Sequence, residues 1–193
     1  MVKRKQGEST GRDEFVEAVL EMLDEGVQLY ALNLRQVARR VGCAHTNAYN
    51  YFSSFSEMLW WALREALERL MSSTGRNNTD LIDVYIDFAL EHPAWFRLIW
   101  LDTLGGSPPR EVADFLSEPS DLFLSWLAGK LNLPKDDEHV VRGARMLNSF
   151  LHGELVAFTT GRLEHSTSEF REQLISNTDM LYELLFGDVR RKE

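Results

Sequence analysis

Apolar residues recur along this chain at three- and four-residue spacing, and no stretch shows the strict alternation of a strand. Phe15, Val19, Met22 and Leu23 fall on one helix face, and Gly26 follows where that helix can end. Asn33 is placed as the N-cap of a second helix with Leu34, Val37, Ala38 and Val41 on its inner face. Gly42 suits the left-handed position just past its end. A third short helix is predicted from about His45 to Phe52. A fourth follows, capped by Ser56 with Glu57 in its first turn, and runs to about Met71. The polar stretch SSTGRNNTD, Ser72 to Asp80, reads as a linker. Beyond it, helices are predicted over roughly 80–90, 93–104, 109–130 with a break near Pro119, 137–163 and 167–187. His92-Pro93, Gly105 to Pro109 and Leu131 to Asp137 separate them. The expected fold is all-α, with a small head at 1–71 and a larger helical domain at 72–193.

Composition narrows the class. A hydrophobic share of 44% in 193 residues is enough for a packed core. Cys43 is the only cysteine, so no internal disulfide can form and a reducing compartment is expected. The opening MVKRKQGESTGRDEF has no apolar run behind its charges, and no window approaches a membrane span. A cytoplasmic chain with no membrane partner is the expectation. Enzyme chemistry finds no foothold: there is no Gly-x-Ser-x-Gly elbow, phosphate loop or dinucleotide fingerprint. The five histidines, at 45, 92, 139, 152 and 165, lack metal-ligand spacing, and one cysteine cannot build a zinc site. No cofactor and no metal are expected.

Charge then singles out one segment. The chain carries a net charge of −9, which argues against unspecific coating of nucleic acid. Residues 1–71 hold 9 basic and 10 acidic side chains, so the other eight negative charges lie beyond. Between Glu25 and Glu57 there is no acid, while Arg35, Arg39 and Arg40 fall inside that window. Helix, tight turn and helix make the geometry of a helix-turn-helix reader of DNA. Ala38 is small enough for the helices to cross closely, and Gly42 makes the turn. Cys43 enters the core as a small hydrophobe. Ala48 and Tyr51 or Phe52 anchor the second helix. His45, Thr46, Asn47, Tyr49 and Asn50 are then left facing outward. Asn47 or Asn50 can pair with adenine, and Thr46 can touch a thymine methyl or a base edge. Tyr49 is better placed as a phosphate donor, with Arg35, Arg39, Arg40 and an arm of Lys3, Arg4 and Lys5 as backbone cations.

Residues 13–61 resemble the N-terminal domain of tetracycline-repressor-like (TetR family) regulators. The resemblance runs through AVLEMLDEG, NLRQVARRVG and AYNYFSSFSEML in the family's order and spacing. It implies an all-helical homodimer whose heads read palindromic operator DNA and whose C-terminal domain binds a releasing ligand. It also adds Ala44 and Tyr51 to the DNA-facing set. Two positions depart from the pattern. Ala44 stands where many members cap the third helix with Ser or Thr, and Phe55 where many have a phosphate-binding Lys. Phe55 and the near-neutral head support a rival, a helical interaction protein of the same fold that has lost specific DNA binding. DVYIDFALEHPAWFRLIW and MLNSFLHGELVAF resemble a family ligand domain of the Trp-His-Gly type, with His152-Gly153 in place.

The C-terminal half is rich in aromatics, which serve either a core or an effector cavity. Trp95, Phe96, Trp100, Phe123, Trp126, Asn148 and His152 are the candidate effector contacts. Leu147, Leu151, Leu155 and Phe158, then Phe170, Leu174, Leu181 and Leu185, form stripes that ordinary intrachain packing or a four-helix dimer interface would use, and the family resemblance favours the second.

Overall fold

The computed structural model describes residues 11–74 and 80–190. Among them all regular structure is helical. Helices α1 (Gly11–Asp24), α2 (Leu34–Val41) and α3 (Phe55–Ser73) build the N-terminal part, with 3-10 helices at Leu29–Ala31 and His45–Asn50. Helices α4 (Leu81–Glu91), α5 (Pro93–Trp100), α6 (Arg110–Phe115), α7 (Glu118–Leu131), α8 (Glu138–Thr159) and α9 (Thr167–Arg190) follow. No helix of the described residues is long and apolar enough to cross a membrane.

Local chemistry explains most boundaries. The Asn33 side chain accepts the Gln36 amide at 3.1 Å while Gln36 reaches back to the Asn33 amide, a complete capping box. Gly42 closes α2 at φ 82°, and the Cys43 amide bonds the Ala38 carbonyl five residues back. Pro93 opens α5, where a missing N–H costs nothing. The expected break near Pro119 is present: α6 ends at Phe115 and α7 starts at Glu118. The cap of α3 differs from expectation. Ser54, not Ser56, accepts the Glu57 amide, and the Glu57 carboxylate takes the Ser53 amide at 2.7 Å. The Ser53 hydroxyl and amide, both donating to it, hold the Glu57 carboxyl below its usual range.

The described residues form two compact units. One runs up to Arg69 and also includes His92–Leu116; the other holds Leu70–Glu91 and everything from Ser117. Helices α5 and α6 thus fall in the unit that holds the head.

In the first unit, Phe15, Val19, Leu20, Val37, Ala38, Ala48, Phe52, Met58 and Phe96 are buried. Trp95 donates its indole N–H to the Leu20 carbonyl at 3.0 Å, tying α5 to α1. The His92 ring lies flat on Trp95, centroids 4.0 Å apart, and its Nδ1 stands 3.0 Å from Asp24. Burial holds the Asp24 carboxyl above its usual range, against the pull of His92. Ser56 donates to the Leu104 and Gly105 carbonyls, and Trp60 donates to Gly105 at 3.1 Å. The segment after α5 is thereby fastened to the first turns of α3.

In the second unit, α8 and α9 share a tight seam. Phe186 packs on Gly143, where a Cβ would collide with the ring, and Phe158 stacks flat on Phe170 at 4.1 Å. Arg171 on α9 reaches Asp83 and Asp87 on α4.

Candidate nucleic-acid interface

The segment after the turn is a 3-10 helix over His45–Asn50 rather than the α-helix expected to Phe52. Two causes are visible. Ala44 offers no side-chain cap, and Asn, Thr and Tyr are weak helix formers. Bonds of the i to i+3 kind close it: the Asn47 amide reaches Ala44 at 2.9 Å and the Tyr51 amide reaches Ala48 at 3.0 Å.

Anchoring and display separate cleanly. Ala48 and Phe52 are buried at 0% and 2% exposure. His45, Thr46, Asn47, Tyr49 and Asn50 are exposed, as is Ala44. None of the five polar side chains has a hydrogen-bond partner among the described residues. Tyr51 is exposed, yet its ring lies 6.2 Å from Phe15 and its hydroxyl sits against Gly11, so its position is fixed by packing on α1. Val37 seals the head as expected, whereas Val41 and Cys43 are only half-buried.

The three arginines of α2 are not equivalent. Arg35 and Arg39 are exposed and pair with no carboxylate of the described residues. Arg40 is engaged by Glu25, just past the end of α1, through Nη1 at 2.8 Å and by Glu21 on α1 through Nε at 3.3 Å. Those hydrogen bonds raise its pKa further and lower that of Glu25. The Arg40 fork is thus engaged within the head, unlike those of Arg35 and Arg39. Phe55, at the foot of α3, is half-buried. The arm of Lys3, Arg4 and Lys5 lies outside the described residues.

The comparisons with known proteins point one way. The family model described as "Tetracyclin repressor-like, C-terminal domain" matches residues 79–178, just over half of the chain. The chain belongs to the TetR family. The fold agrees with solved TetR-family structures. A TetR-family transcriptional regulator from Streptomyces coelicolor superposes with a TM-score of 0.74 at 16% identity, covering 93% of this chain and 86% of that one. A TetR transcriptional regulator from Rhodococcus sp. RHA1 gives 0.59 at 18% identity, covering 93% and 98%. A TetR variant from Acinetobacter baumannii AYE, in complex with minocycline, gives 0.61 at 16% identity, covering 96% and 99%. At such identities the likeness concerns the fold.

The TetR-family fold does not gather the seven expected effector contacts in one compact unit. Trp95, Phe96 and Trp100 stand on α5 with the head, where Trp95 and Phe96 are core and Trp100 is 40% exposed. Phe123, Trp126, Asn148 and His152 belong to the other unit. Asn148 is exposed on α8. Phe123 and Trp126 pack together on α7, centroids 5.3 Å apart, and the Lys130 ammonium lies over Trp126. His152 Nδ1 meets the Tyr85 hydroxyl at 3.0 Å. Burial pushes Tyr85 well above the usual phenol range and pulls His152 below the usual imidazole value. Tyr85 is therefore a polar partner that sequence reasoning missed. Its only signal was a tyrosine within the apolar face of α4.

The expected dimer stripe divides as well. Leu147, Leu151, Leu155, Phe170 and Leu174 are at most 2% exposed within the single chain. Burying such a side chain fully is worth roughly 1.5–3 kcal/mol, and that contribution is already made inside the subunit. The expectation that these five face a partner is corrected on that ground. Phe158, Leu181 and Leu185 are half-buried. The large apolar groups of these helices that face outward among the described residues are Val141 and Met146 on α8 at 45% and 54%, and Met180 and Leu184 on α9 at 62% and 78%.

Proposed function

We propose that this TetR-family chain is a ligand-responsive transcriptional repressor that binds a palindromic operator as a homodimer. The observation that carries the reading is the row His45 to Asn50. Its polar groups are exposed and have no hydrogen-bond partner among the described residues, no acid lies between residues 26 and 56, and buried Ala48 and Phe52 fix it to the head. Groups with that geometry satisfy base edges and phosphates in the major groove. Arg35 and Arg39 supply backbone cations, and Tyr49 a phosphate donor. Two such heads stand about one DNA turn apart in a dimer of this kind.

Dimerisation is proposed through α8 and α9, with Met146, Met180 and Leu184 joining Phe158, Leu181 and Leu185. Met180 and Leu184 are one helical turn apart and both largely exposed, as an isologous helix contact requires. A small-molecule effector is proposed for the unit holding α7 and α8. The likeness to a TetR protein that carries minocycline supports it, as does the polar pair Tyr85–His152. The functional division 1–71 and 72–193 is part of the same proposal. Release works if the effector binds the DNA-incompetent state better than the competent one.

Fluorescence anisotropy with the duplex upstream of the chain's own gene tests the reading. A salt-dependent complex, tighter than with random duplex and weakened by Asn47→Ala and Tyr49→Phe, is the expected result. Equal affinity for random duplex would favour the helical interaction protein instead.

A further inference from the structure

The 3-10 form of the reading segment changes which side chains stand together. A 3-10 helix has three residues per turn, so side chains three apart eclipse one another. Asn47 and Asn50 are such a pair, and Thr46 and Tyr49 are another. In an α-helix the same two asparagines would be offset around the axis by about 60°. Both are exposed, and neither carboxamide has a hydrogen-bond partner among the described residues.

We infer that Asn47 and Asn50 act as a matched pair, each reading one A·T base pair, with the two A·T pairs no more than two base pairs apart in each operator half-site. The inference rests on the DNA-binding reading above and names the base identity that reading leaves open.

Hydrogen-bond chemistry selects the base. A carboxamide offers one acceptor and an NH2 donor side by side. Adenine alone presents the complementary set in the major groove, an N7 acceptor beside an N6 donor. Guanine presents two acceptors, so the carboxamide oxygen is left unmatched. Cytosine presents only a donor and thymine only an acceptor, so one bond is lost at either.

Spacing selects the separation. Three residues at a rise of about 2.0 Å place the two carboxamides about 6 Å apart along the axis. Successive bases rise about 3.4 Å, so neighbouring or next-but-one base pairs fall within reach. No charged side chain on the segment competes for this role. It carries no Arg or Lys that could fork onto guanine and no Asp or Glu that could accept from cytosine. Ala48, between the two asparagines, is buried and leaves the row clear.

Selection of tight binders from a randomised duplex pool, using the full-length chain, tests the pair. The wild type is expected to recover a half-site with two A·T pairs at most two positions apart. Asn47→Ala is expected to erase the preference at one of them and Asn50→Ala at the other, each by about tenfold, while the rest of the half-site persists. Both side chains are exposed, so each variant should keep the wild-type circular dichroism and Tm. A recovered half-site with G·C at those positions would overturn the pairing while leaving DNA recognition standing. So would two variants that relax the same position or none. A pool with no enriched sequence would overturn the DNA-binding reading itself, and the pairing with it.

Discussion

The His45–Asn50 segment of the head and the outward side of α8–α9 both display side chains that no other described residue covers or bonds, but of opposite chemistry. At His45 to Asn50 the unused groups are hydrogen-bonding: an imidazole, a hydroxyl, two carboxamides and a phenol. On α8 and α9 they are apolar: Met146, Met180 and Leu184. A surface whose polar groups lack partners is complementary to a polar, patterned ligand such as DNA. A surface whose methyl groups lack cover is complementary to another apolar surface. The lesson is that residues spent inside the chain are not free to meet a partner, and those left over are. Leu147 and Arg40 look like interface residues by type, yet Leu147 is fully buried and Arg40 is held by Glu21 and Glu25.

The largest expected effect lies on the inner side of α8. Gly143→Val forces a branched side chain into the Phe186 ring and should destabilise the second unit by about 3 kcal/mol, visible as an early denaturation transition. A tolerated Gly143→Val would show that the α8–α9 seam is looser than its packing implies. On the outer side the expectation reverses. Leu184→Glu should weaken self-association about a hundredfold in analytical ultracentrifugation while leaving the folded chain's stability within about 0.5 kcal/mol. Unchanged association would remove Leu184 from the interface.

The arginines sharpen the same comparison at smaller scale. Arg39→Ala should lower the slope of log K against log salt by about 0.9 for each phosphate it neutralises. Arg40→Ala should change that slope less, since its guanidinium already serves Glu21 and Glu25. Equal slopes would mean the pairing breaks on DNA.

The smallest effect concerns His152. Burial lowers its folded pKa from the ordinary 6.5, so the unfolded chain takes up a proton that the folded chain resists. The stability this contributes is present above pH 6.5 and is lost as pH falls through the folded value. Between about pH 7.5 and about 5.5 the wild type should lose more Tm than His152→Gln does. Parallel losses would place the pH sensitivity elsewhere.

The sequence made the local devices readable. Asn33, Gly42 and Pro93 act through neighbours within five residues, and each does what its chemistry dictates. Long-range assignments were not readable. The Trp95 indole N–H is committed to Leu20, 75 residues away, a tie that periodicity does not announce. The position of Ser56 suits a cap, and its hydroxyl instead holds carbonyls 48 and 49 residues on. The leucine stripes of α8 and α9 announced a buried face, and periodicity cannot say which chain covers it. The exposure of His45, Thr46, Asn47, Tyr49 and Asn50 was legible because the turn and the buried Ala48 and Phe52 fix their orientation locally. Their 3-10 register was not, since it depends on a missing cap and weak propensities acting together.

The most direct test of the central claim compares wild type with a variant carrying Thr46→Ala, Asn47→Ala, Tyr49→Phe and Asn50→Ala together. Each protein is titrated by anisotropy against its best selected duplex and a shuffled copy at two salt concentrations. The wild type should prefer the selected duplex by about a thousandfold or more. The variant should lose most of that preference and keep its weak, salt-dependent binding to both. A wild-type ratio near one, or a ratio the four substitutions leave unchanged, would contradict the claim that this edge reads DNA.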